Sequence, residues 1–96
     1  MKKLKKGWVE GSVSEFLDLS PADMELIETR RLLSKKLRAE REKRHLTQTA
    51  MAQVLQSSQS RVAKMEKGDA SVSLDLLFQS LYRLGLSRGH LLKIVH

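Results

Sequence analysis

Gln59, Ser60, Arg61 and Lys64 fall in one short run, SSQSRVAKMEKG (residues 57–68). Together they can address most of the groups that a base pair exposes in the major groove. An amide like that of Gln59 bonds adenine N6 and N7 at once, a serine hydroxyl serves either base type, and Arg or Lys favours guanine O6 and N7. Within the same run Val62 and Met65 are three residues apart, a spacing that puts both on one face of a helix. The apolar pair anchors the helix, and the amide, hydroxyl and cations are left facing outward. Ser58 is the natural cap of this helix. The free backbone N–H groups of the first turn and the positive end of the helix dipole suit a phosphate. Gln48, first in the preceding helix, is placed to touch a phosphate backbone in the same way. Arg44, Lys64 and Lys67 would add affinity that is indifferent to sequence and sensitive to salt.

These side chains need a scaffold, and the chain spells one out. In LSPADMEL, Ser20 is a good N-cap, Pro21 suits the first helical position and Asp23 favours the positive end of the dipole. The helix from Pro21 should run to about Arg44, with Ile27, Leu33, Leu37 and Leu26 as its inner stripe. Leu46 closes that end, and Thr47 caps a second helix, QTAMAQVL, with Met51, Ala52 and Leu55 on one side. A break at Gln56–Ser57 precedes the helix capped by Ser58, and Gly68 ends it. DASVS reads as a polar loop. Ser73 caps the apolar stretch LDLLFQSLYRL, Gly85 stops it, and SRGHLLKIV makes a last short helix interrupted by Gly89. Upstream, Gly7 and Gly11 flank Trp8 and Val9 in an irregular arm, and Ser14 to Leu19 can form a short helical turn. No strand pattern or internal repeat is present. The fold class is all-α with five to six helices, divided into an arm (1–20) and a domain (21–96).

Composition narrows the function. Ninety-six residues suit one domain with a small core, which oligomerisation would help to cover. The absence of cysteine excludes a disulfide framework and any thiolate zinc site. No apolar run approaches the ~20 residues of a membrane span, and MKKLKK is not followed by the apolar stretch of a signal peptide. A cytoplasmic location is expected. The net charge of +7 points to a polyanionic partner. It is distributed in blocks: four lysines in 1–6, six acids and no Lys or Arg in 7–29, and eight bases against two acids in 30–44. His45, His90 and His96 lack metal-ligand spacing, and no catalytic set can be assembled. The expectation is a non-enzyme without metal or other cofactor.

With those residues in view, LTQTAMAQVLQSSQSRVAKMEKG resembles the helix-turn-helix of the phage-repressor and Xre family, whose usual pattern is L-T-Q-x-x-L-A-x-x-L-G-x-S-Q-x-x-V-S-x-I-E-x-G. Leu46, Thr47, Gln48, Ala52, Leu55, Ser58, Gln59, Val62, Glu66 and Gly68 match directly, and Met51, Ala63 and Met65 are close replacements. The resemblance implies a lambda-repressor-like domain of about five helices with an N-terminal extension. It also implies that Gln48 contacts phosphate, that Gln59, Ser60 and Lys64 face bases, and that Arg61 reaches base or backbone. The same resemblance makes Glu66 structural. One position departs: the family's turn glycine is Gln56 here, and a side chain in the left-handed region costs on the order of 1 kcal/mol.

A narrower resemblance, carried by SSQSRVAKMEKGD, SVSLDLL and the segment before the domain, is to HigA-type antitoxins. These pair with HigB or RelE-like toxins, which are commonly basic. The acidic block 7–29 would suit such a partner, with Trp8, Val9, Phe16 and Leu17 as apolar anchors. The expectation is thus a sequence-specific DNA-binding transcriptional repressor that doubles as antitoxin and autorepressor. It would act as a homodimer on a double-stranded operator, paired through residues 74–95 by Phe78, Leu81, Leu91, Leu92 and Ile94. The alternatives are a stand-alone phage-type repressor and a protein-interaction module that kept the fold.

Overall fold

The computed structural model describes residues 19–96, so Trp8, Val9, Phe16 and Leu17 and most of the expected turn at Ser14–Leu19 lie outside the described residues. Among the described residues five helices follow one another: α1 (Pro21–Lys43), α2 (Gln48–Val54), α3 (Gln59–Lys67), α4 (Leu74–Arg83) and α5 (Arg88–Val95). Among the described residues there is no strand.

Each helix begins where a hydroxyl can satisfy a first-turn N–H. The side chains of Ser20, Thr47, Ser58, Ser73 and Ser87 accept from the amides of Asp23, Ala50, Arg61, Leu76 and His90, at 3.0–3.1 Å. A cap of this kind contributes about 1 kcal/mol, so the boundaries are written locally, before any tertiary contact. At α1 the bond is reciprocal: the Ser20 amide donates to Asp23 Oδ2 at 3.2 Å, a capping box. Gly68 (φ 71°) ends α3 and Gly85 (φ 96°) follows α4, both in the left-handed region that glycine enters without steric cost.

α1 is the spine. Its C-terminal half lies against α3, α4 and α5, while α2 rests on α3. Leu33 and Leu37 of α1 join Met51, Ala52, Leu55, Val62, Met65, Val72, Leu77, Leu81, Leu84 and Leu91 in one aliphatic core. The inner stripe is shorter than its periodicity suggests: Leu26 and Ile27 are 49% and 45% exposed, because the first two turns of α1 extend past the helices it supports. α5 runs through Gly89 without a break, since the Ser87 cap and buried Leu91 hold it on either side. Leu81 and Leu91, expected at a dimer contact, are fully buried in the core and are not available to a second chain. Phe78 and Ile94 are partly buried against that core, and Leu92 is exposed.

Candidate nucleic-acid interface

The geometry of the α2–α3 pair is set by one turn. Leu55 ends α2, the Ser57 amide donates back to Ala52 O at 2.8 Å, and Gln56 takes the left-handed conformation at φ 55°. The family's glycine geometry is therefore kept by a glutamine, at a steric cost. Ala52 is buried and Ala63 half-buried, and small side chains let the helices approach closely.

Val62 and Met65 are fully buried, which pins α3 by the seam its spacing announced. Ser58, Gln59, Ser60, Arg61, Lys64 and Lys67 are all exposed. Ser58, Ser60, Arg61 and Lys64 line a groove of about 650 Å³ whose far wall is the α3–α4 loop and the start of α4. That wall contributes Ser71, Ser73 and Gln79, of which sequence reasoning had singled out only Ser73, as a cap. The hydroxyl-rich DASVS loop was the available signal. Asp69 shapes this loop: its carboxylate accepts from the Ser71 hydroxyl at 2.7 Å and the Ser71 amide at 2.8 Å. Those bonds, led by the side-chain one, hold the carboxyl below the usual aspartate range. Lys67 points elsewhere, into a separate groove against α1.

Gln48 is less free than expected. Its Oε1 accepts from Gln59 Nε2 at 2.7 Å, and its own Nε2 donates to Glu66 Oε1 at 3.2 Å. Glu66 in turn receives both Nε and NH2 of Arg41, at 2.6 and 3.1 Å, and Arg41 NH1 donates to Leu46 O at 2.9 Å. A chain of polar contacts thus runs from half-buried Arg41 on α1, through Glu66, to the two glutamines at the starts of α2 and α3. The hydrogen bond that Arg41 donates to Glu66 raises the Arg41 pKa further, against the opposing effect of burial. The chain leaves Gln59 with its Oε1 and one N–H uncommitted among the described residues, the pair that an adenine edge requires. Glu66 has the structural place that the resemblance implied. Arg41 was not foreseen, because no local pattern links it to a residue 25 positions away.

Arg44 is also committed: NH2 donates to Leu84 O at 2.7 Å and lies 3.3 Å from Glu40 Oε1. It closes the end of α4 rather than standing free for a phosphate.

With the site in place, comparison with known proteins is informative at the level of family. Residues 15–87 match a family model described as a helix-turn-helix domain. The chain belongs to that helix-turn-helix family. The match begins ahead of α1 and stops before α5. It marks the chain as a DNA-binding regulator by class, with DNA as the partner. No curated protein and no solved structure gives a significant match. No helix among the described residues is long and apolar enough to cross a membrane, and no group of three or more His, Asp or Glu among them is arranged to hold a metal ion.

Proposed function

We propose that this chain is a sequence-specific DNA-binding repressor that inserts the N-terminal half of α3 into the major groove. The observation that carries this reading is the single exposed face bearing Gln59, Ser60, Arg61 and Lys64, with the Gln59 amide steadied by Gln48. Gln59 and Lys64 read bases, Ser60 and Arg61 contact base or backbone, and the amides at the Ser58 cap face a phosphate. Gln48 keeps one N–H for a phosphate while it orients Gln59. A two-fold dimer built on exposed Leu92 and neighbouring Ile94 of α5 would present two such helices to half-sites roughly 34 Å apart, one turn of duplex. Replacing Gln59 and Lys64 together by Ala should abolish preference for the selected operator at physiological salt while helicity by circular dichroism is unchanged. Unaltered operator binding by that variant would contradict the assignment.

Within this reading, the acidic block at 7–29 beside a basic domain favours a second role as antitoxin. Trp8, Val9, Phe16 and Leu17 would supply the apolar contacts to a basic, RelE/HigB-like toxin, and the same chain would repress its own operon. A basic product of the adjoining reading frame that arrests growth, and is relieved by this chain, supports the antitoxin. Its absence favours a stand-alone repressor, and DNA binding that is weak and indifferent to sequence favours an interaction module.

A further inference from the structure

The core-facing side of α1 continues beyond the bundle. Ile27 lies two turns above Ser34 on the same face, yet is nearly half exposed. Between this face and the end of α3 runs a groove of about 550 Å³, floored in part by Ile27 and rimmed by Arg30, Arg31, Lys35, Arg38 and Lys67; its one carboxylate, Glu66, is already paired with Arg41. Arg31 and Arg38 pair with Glu28 and Glu42 on their own helix, whereas Lys35 and Lys67 form no ion pair with another described residue. Ser34 also lines the groove; it is only 3% exposed, and its hydroxyl has no hydrogen-bond partner among the described residues. A buried polar group is ordinarily satisfied. The lining is cationic with an apolar floor, and it matches a ligand that is acidic and apolar together.

One segment of the chain has that chemistry and the right tether. Residues 10–18, EGSVSEFLD, carry Glu10, Glu15 and Asp18 around Val13, Phe16 and Leu17, with no Lys or Arg. The segment ends just ahead of the Ser20 cap. Ile27 and Arg38 stand about 9 and 26 Å along the axis from Pro21 at 1.5 Å per residue, and nine extended residues span up to about 30 Å. The segment can therefore run back along α1 over the whole groove. The family match starts at residue 15, which places Phe16 and Leu17 inside the recurring domain.

We propose that residues 10–18 fold back along α1 and dock in this groove, acids against Lys35 and the arginines, Phe16 or Leu17 over Ile27. Docking there neutralises Lys67 at the end of α3. It also covers apolar groups that a protein partner would otherwise meet first. The proposal does not depend on what the α3 face binds.

The chain has no cysteine, so Ser14→Cys in the full-length protein accepts a single nitroxide label. The expected result is loss of amide NMR signals at Lys35, Arg38 and Gly68–Ala70, with signals around Leu92 retained. Lys35→Glu should restore the lost signals, and Lys35→Glu combined with Glu15→Lys should remove them again. Intact signals at Lys35 and Gly68 in the labelled chain would overturn the proposal, as would a loss that Lys35→Glu leaves unchanged. Loss seen only when labelled, unenriched protein is mixed with unlabelled, isotope-enriched protein would assign the groove to a second copy's segment and overturn docking in cis.

Discussion

Gln56 shows how a single residue constrains the interface. It holds the left-handed turn between α2 and α3 at φ 55°, where a side chain costs about 1–2 kcal/mol and glycine costs nothing sterically. Glycine adds roughly 0.5–1 kcal/mol of unfolded-chain entropy, so Gln56→Gly should raise the thermal midpoint by a few degrees at most. Gln56→Val, β-branched at a positive φ, should lower it well beyond that by scanning calorimetry. Both outcomes follow from the turn geometry alone. The outward face of α3 was legible because burial of Val62 and Met65 dictates which residues are left outside. The commitment of Gln48 to Gln59 was not, since the two amides are 11 positions apart and meet only once α2 has turned onto α3.

At the scale of elements, helix starts were legible and helix environments were not. The caps Ser20, Thr47, Ser58 and Ser73 are readable from local chemistry, whereas the Ser87 cap of the last helix was missed beside Gly89. Which part of α1 is covered, by contrast, depends on where α3, α4 and α5 cross it, and so the stripe ends below Ile27. The same holds for Arg41 and Glu66, which tie α1 to α3 through a pair only 15% and 5% exposed. Removing one partner leaves the other buried and uncompensated, at a cost of about 3 kcal/mol. Arg41→Ala should thus lower the urea midpoint strongly, while Arg41→Met with Glu66→Leu should recover much of the loss in a double-mutant cycle.

Glu40 on α1 is likewise buried. Burial opposes its charge, but the hydrogen bond from Lys36 and the fields of Lys36, Lys43 and Arg44 prevail and lower its pKa below the ordinary value near 4.5. A folded pKa below the unfolded one contributes stability that is complete above about pH 4.5 and fades as the pH falls through the folded value. In urea titrations across that range, Glu40→Gln should reduce stability at neutral pH and flatten the acid-side decline.

For the whole molecule, the separation of charge organises what the chain can meet. The basic body carries the α3 face, and the acidic block precedes and enters α1. A polyanion is drawn to one part and a cationic surface to the other. The most direct measurement is selection of random duplexes by the wild type and by Gln59→Lys, because an ammonium favours guanine where an amide favours adenine. The expected result is a two-fold symmetric site in which one position per half-site changes from A·T to G·C and the remainder stays the same. An identical selected site for both proteins would contradict base reading by α3.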